Sequence, residues 1–154
     1  MVKSTVSILR AFAVAILLAG SLGLSAAGSP ARADEPARHF VFSITTDEGW
    51  AAGSALTQAT VAAERGHRVT VLLSVRGVHL AEAESAQGGF SVTARTPREM
   101  LAALIRDGHA VLVCGMCMVA GGVATPDLIE GATVAGSDLM FNALAAPDTV
   151  VLSY

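Results

Sequence analysis

Two cysteines, Cys114 and Cys117, stand in the stretch Val111-Leu-Val-Cys-Gly-Met-Cys-Met-Val-Ala-Gly-Gly122. An apolar β-type run ends at Cys114, and small residues able to open a helix follow. A strand that stops where a helix begins carries its last side chain to the rim of a sheet. The free N–H groups of the helix's first turn then face that side chain and favour a thiolate over a thiol. The expected chemistry is attack on sulfur, through persulfide formation or thiol–disulfide exchange. The plain alternative is a pair of inert core residues, because free cysteine is often buried.

Other uses of the pair are narrower. Zinc needs about four ligands. The histidines are scattered at 39, 67, 79 and 109, three of them at predicted strand starts, across the sheet from Cys114. Zinc within one chain is therefore not expected. A c-type haem is excluded because Met118, not histidine, follows Cys117. Copper(I) stays open, since Met116 and Met118 interleave with the cysteines and soft sulfur ligands select that ion. The alternative use of both methionines is gap-filling packing.

The positioning elements follow from periodicity. His39–Thr45 is a strand run, Trp50–Arg65 is helical, and Gly66 stops the helix. His67–Ser74 is a second strand, apolar enough for burial on both faces. Val78–Ala86 reads as a short helix, and Ser91–Thr93 as a loop or short extended piece. Thr96-Pro97-Arg98-Glu99 carries a capping box with proline in the first turn, opening a helix that ends at Gly108. His109–Cys114 is the third strand. Thr125-Pro126 repeats the helix start, Val134 closes a small strand, Ser137 caps a helix to Ala145, and Asp148–Tyr154 is the last strand. Apolar strands alternating with helices predict an α/β fold, a parallel sheet covered on both faces. Sites in such sheets lie at the carboxyl ends of the strands.

That rule gathers further candidates beside Cys114: Asp47 and Glu48 after the first strand, Arg76 after the second, and Trp50 at the start of the first helix. Arg76 can stabilise a thiolate or hold an anionic substrate. Asp47 can transfer protons near the thiols, although an acidic pair there also serves the following helix N-terminus. Trp50 lines the pocket or packs. No Gly-x-Ser-x-Gly and no Gly-x-Gly-x-x-Gly is present, so neither serine catalysis nor a dinucleotide is indicated. No cofactor is expected.

The N-terminus has Lys3 and Arg10, then an uncharged apolar run from Ala11 to Leu24, then Ala31-Arg-Ala33. Those are the three parts of a secretory signal. Cleavage after Ala33 is expected, with Ala27 as second choice and an uncleaved anchor as the alternative. Residues 1–33 are then the signal and 34–154 one domain, periplasmic or secreted and free of the membrane after cleavage. Without Lys3, Arg10 and Arg32 the chain is acidic and has no lysine, so nucleic acid is not an expected partner. Outside the cytosol disulfides persist, so the two cysteines can be oxidised at rest; the sequence leaves their resting state open.

The pattern strand-Val-Cys-x-x-Cys-x-x-x-x-Gly-Val, with Pro126-Asp-Leu-Ile-x-Gly131 and a final strand, resembles the DsrE/DsrF-like proteins over nearly all of residues 34–154. Their relay members pass sulfur as a cysteine persulfide. The resemblance implies a flavodoxin-like three-layer sandwich with about five mainly parallel strands. It also implies assembly into trimers or hexamers and donor and acceptor proteins as partners. The relay nucleophile falls on Cys114 and a second cysteine on Cys117. The implied role is an exported sulfur carrier more than a classical enzyme. A copper(I) module using Cys114, Cys117, Met116 and Met118, or a structural subunit, are the alternatives.

Overall fold

The computed structural model describes residues 36–154; the expected signal and its cleavage site lie outside them. The elements are β1 (His39–Ile44), α1 (Gly49–Glu64), β2 (Arg68–Leu73), a 3-10 helix (Val75–Ala81), α2 (Pro97–Arg106), β3 (Ala110–Cys114), α3 (Gly115–Gly121), a 3-10 turn (Thr125–Asp127), β4 (Thr133–Ala135), α4 (Ser137–Ala145) and β5 (Thr149–Ser153). The five strands form one sheet in the order β4-β3-β2-β1-β5. Every pairing is parallel, as the alternation predicted.

β1 to β4 step in one direction across the sheet. The connections α1, α2 and α3 pack on one face, over Phe42, Ile44, Val69, Val71, Leu73, Val111 and Val113. β5 returns beside β1 through α4, which covers Val41, Leu72, Leu112 and Ala135 on the other face with Met140 and Ala143. A reversal of direction puts the crossover on the opposite face because both connections keep the right-handed sense. Each fully buried Leu, Ile, Val or Phe contributes roughly 1.5–3 kcal/mol. Phe42, Ile44, Leu56, Leu73, Leu101 and Leu104 are all at 2% exposure or less.

α1 turns small residues inward: Ala52, Gly53, Ala55, Leu56, Ala59 and Ala62 are buried, so the helix lies close to the sheet. Its cap is Glu48, whose carboxylate accepts from the Trp50 and Ala51 N–H groups, each at 2.9 Å. α2 opens with the expected capping box: Thr96 Oγ1 accepts from Glu99 N–H, and Glu99 accepts from Thr96 N–H at 2.7 Å.

Three local expectations are corrected. The helix expected at Val78–Ala86 is a 3-10 helix over Val75–Ala81. It cannot continue because side chains take its later carbonyls. Gln87 donates to His79 O and Leu80 O, and Arg98 to Glu82 O and Ser85 O. Thr125-Pro126 starts only one 3-10 turn, because the next residues run extended beside the end of the first 3-10 helix. There Ile129 N donates to Ala81 O, and Ala83 N donates to Asp127 O. Ser137 is the first residue of α4; the capping position is Gly136, with no side-chain cap.

α4 is the thinnest cover. Leu139, Phe141 and Leu144 stay exposed, as does Val151, which β5 places on the same face of the sheet through its register with Val41.

At the amino edge His39 is buried between two hydroxyls. Its Nδ1 is 3.0 Å from Thr149 Oγ1 and its Nε2 is 2.9 Å from Thr70 Oγ1, so one ring ties β5, β1 and β2 together. Burial holds its pKa below the ordinary histidine value, with Arg68 adding to the effect. The unfolded chain then binds the proton more readily than the folded one. Stability is complete above the ordinary value of 6.5 and is lost as the pH falls through it toward the lower folded value. Urea midpoints should decline as the pH falls below about 7, and His39→Gln should flatten much of that decline. An equally steep decline in the variant would remove His39 as its source.

Candidate functional site

Cys114 ends β3, in register with Ala135 of β4. Its backbone leaves the strand there (φ −61°, ψ 109°) and becomes the cap of α3, with its sulfur accepting from the Cys117 N–H at 3.3 Å. Gly115 allows the turn, because a Cβ there would press on Val134 Cγ1 at 3.2 Å. α3 ends on Gly122 in the left-handed conformation (φ 73°), where Val123 N donates to Met118 O at 2.9 Å. The buried Met118 in the middle of α3 and Val123 just past its cap anchor it in the core.

This geometry brings the cysteines within bonding range. Their Cα atoms are 5.2 Å apart and their sulfurs are joined as a disulfide. That separation is ordinary for a disulfide. Both residues are half-buried. Cys117 lines an open cavity of about 490 Å³ together with Val75, Arg76, His79, Met116, Ala120 and Gly121.

The rim beside it is set by the end of β1. Ser74 N donates to Ile44 O at 3.0 Å, and Arg76 N and Gly77 N both donate to Thr45 O, at 3.1 and 3.3 Å. The chain after β2 is thus folded down onto β1. Val75 takes a positive φ of 53° to make the turn. For a β-branched residue this is strained backbone, of the kind that gathers at functional sites. Gly77 has no side chain to spare, because a Cβ would collide with Ile44 O.

The same turn delivers Arg76 to Asp47. The pair is bidentate, with Nε to Oδ1 at 2.9 Å and Nη2 to Oδ2 at 2.6 Å. The guanidinium's hydrogen bonds hold the Asp47 carboxyl below the usual carboxylate range. Glu48 is held low by the two helix N–H groups it caps. The acidic pair therefore divides its work: Glu48 serves the helix and Asp47 neutralises Arg76. Arg76 reaches the cysteine cavity carrying a partner already.

Trp50 is 76% exposed and lines, with Asp47, a second cavity of about 390 Å³ that does not include the cysteines. Met116 and Met118 are separated by α3. Met116 is 78% exposed and Met118 only 3%. A four-sulfur copper site would need Met118 to leave the core. Among the described residues no group of three or more His, Cys, Asp or Glu side chains is placed to hold a metal ion.

One residue outside the expected set stands between the two cavities. His79 lines both. Its Nδ1 is 3.0 Å from Glu82 Oε2. The sequence signal was its offset from the other histidines, which sit at strand starts, and its place three residues after Arg76.

A parallel five-stranded sheet with a bonded cysteine pair at its carboxyl rim defines a disulfide-bearing α/β protein. More particularly, the chain belongs to the DsrE/DsrF-like family, whose model matches residues 39–151. Among solved structures it is similar to the YchN protein from E. coli. The identity is 17%, 77% of this chain and 99% of that one are covered, and the TM-score is 0.66. It is also similar to MTH1491, a protein of unknown function from Methanobacterium thermoautotrophicum. There the identity is 17%, the coverage is 76% and 99%, and the TM-score is 0.53. At these identities the likeness is one of fold. No curated protein gives a significant match.

The close approach at Gly77 gives a direct stability test. Gly77→Ala should cost about 1–3 kcal/mol by overpacking, read as a lower urea midpoint. A midpoint equal to the parent's would mean that this turn does not press on β1.

Proposed function

We propose that the chain is a sulfur carrier that works through Cys114 and Cys117. The supporting observation is a bonded cysteine pair at the carboxyl rim of a DsrE/DsrF-like fold, with one partner on an open cavity. The pair is first reduced. The Cys114 thiolate, favoured by the Cys117 N–H, attacks the outer sulfur of a donor persulfide. An S–S bond forms at Cys114 and the donor leaves as its thiolate. The Cys114 persulfide then has two fates. An acceptor thiolate takes the outer sulfur and frees the Cys114 thiolate. Alternatively, the Cys117 thiolate attacks the inner sulfur, hydrosulfide leaves, and the Cys114–Cys117 disulfide closes. In the second case the sulfane sulfur is reduced to sulfide and the two thiols supply the electrons.

Two further readings accompany this one. Export to the periplasm or the exterior follows from the N-terminal pattern, with residues 34–154 as the working domain. Self-assembly into a trimer or hexamer is supported by the exposed Leu139, Phe141, Leu144 and Val151 over the thin α4 layer. Apolar patches of that kind mark interaction surfaces.

Intact-mass measurement tests the carrier. Reduced protein incubated with a sulfane donor should gain about 32 Da per sulfur, the mass of a persulfide. Cys114→Ser should abolish the gain, and Cys117→Ser should prolong it by removing the resolving thiol. No mass gain in the reduced parent would sink the proposal.

A further inference from the structure

We propose that His79, held by Glu82, is the proton-transfer residue for the Cys117 sulfur. The inference deepens the sulfur-carrier reading at the same site, and its test reads the thiol itself.

The resolving step needs Cys117 as thiolate, yet a free cysteine is mostly protonated near neutral pH. α3 supplies no acid or base, since its residues are Gly115-Met-Cys-Met-Val-Ala-Gly121. The groups around the cavity are therefore the candidates. Arg76 stays protonated and is occupied by Asp47. That leaves His79, the side chain suited to moving protons near pH 7.

Its orientation is fixed from two sides. Glu82 lies 3.0 Å from Nδ1. A carboxylate can only accept, so it selects the tautomer with the proton on Nδ1 and leaves the Nε2 lone pair open. Glu82 itself is held because Arg98 binds the backbone carbonyls of Glu82 and Ser85. On the other side the ring edge packs on α3 at Gly121. A Cβ built there would lie 3.3 Å from both Nε2 and Cε1. Gly121 and Cys117 are four residues apart on one helix, so they share a face with Cβ positions about 5–6 Å apart. Nε2 thus sits about one helical turn from the Cys117 side chain, in the cavity both residues line. At that separation the proton passes through one bridging water.

The steps balance. Nε2 takes the Cys117 proton, giving thiolate and an imidazolium beside the Glu82 carboxylate. The thiolate attacks the Cys114 persulfide and expels hydrosulfide, which takes the proton from Nε2. When an external thiolate later opens the disulfide at Cys114, Cys117 leaves as thiolate, and Nε2, protonated again from solvent, supplies its proton. The charged groups facing the ring are Glu82 and Arg76 on its own segment, and Asp47, whose carboxyl feels the His79 charge.

The experiment is alkylation of reduced protein with iodoacetamide across pH, followed by intact mass. In Cys114→Ser, only Cys117 reacts. Adding His79→Gln should slow that reaction about tenfold near pH 7 and move its profile up by about one pH unit. Glu82→Gln should move it part of the way. In Cys117→Ser, the Cys114 profile should be unmoved by His79→Gln, which separates proton transfer from a general loosening of the rim. If His79→Gln does not fold, Gly121→Ala serves instead, because its methyl crowds the ring away and should shift the Cys117 profile in the same direction. A Cys117 profile that ignores these changes, or a Cys114 profile that shifts equally, overturns the proposal. A His79-dependent Cys117 profile without any sulfur loading would leave this inference standing and remove the carrier reading.

Discussion

Two carbonyls at the end of β1 organise the working rim. Ile44 O accepts the Ser74 N–H, and Thr45 O accepts the Arg76 and Gly77 N–H groups. Thr45 also donates its own N–H and its hydroxyl to Tyr154 O, tying in the end of β5. These bonds bend the chain after β2 over β1 in place of letting it run into solvent. Everything useful near the cysteines depends on that bend. It carries Arg76 to Asp47, aims the 3-10 helix toward α3, and brings His79 over Gly121. The strained Val75 and the cramped Gly77 are its local costs, met by burial of Val78, Leu80 and Ala81 in the main core.

The cysteine turn is a second rigid piece, built by different means. β3 is locked between β2 and β4, and α3 is pinned by Met118 and Val123. Between those anchors the cysteines have little freedom, which keeps the sulfurs within bonding range. Small residues matter at both ends of α3. Gly115 lets Val134 approach, and Gly121 lets the imidazole approach. A bulkier helix would hold the same cysteines while shutting out their neighbour.

The repeating part of the fold was legible in the residues. Strands showed as apolar β-branched runs, and α1 and α2 as helical spacing closed by Gly66 and Gly108. The Thr96–Glu99 capping box is purely local and was read as it is found. The carboxyl-end placement of Cys114, Asp47 and Arg76 followed from the parallel order alone. Less legible were features decided by distant partners. The chain after Leu73 forms a 3-10 helix because β1, Gln87 and Arg98 compete for its hydrogen bonds, and no window of residues 75–86 reveals that. Thr125-Pro126 has a good start signal, overridden by pairing with the end of the same 3-10 helix. The sequence does not place His79 beside the cysteine cavity, because that depends on which way an irregular segment points. The methionines looked equivalent by spacing, but only helix orientation decides that one is packed and one is bare.

The bonded cysteines carry a further consequence for how such a protein would have to live. A dithiol that closes on itself after shedding its cargo has used up its only electrons. It then stays idle until something outside refills it. Under the proposed chemistry each sulfide shed costs a pair of electrons that an outside reductant must return, whereas sulfur handed on to an acceptor costs none.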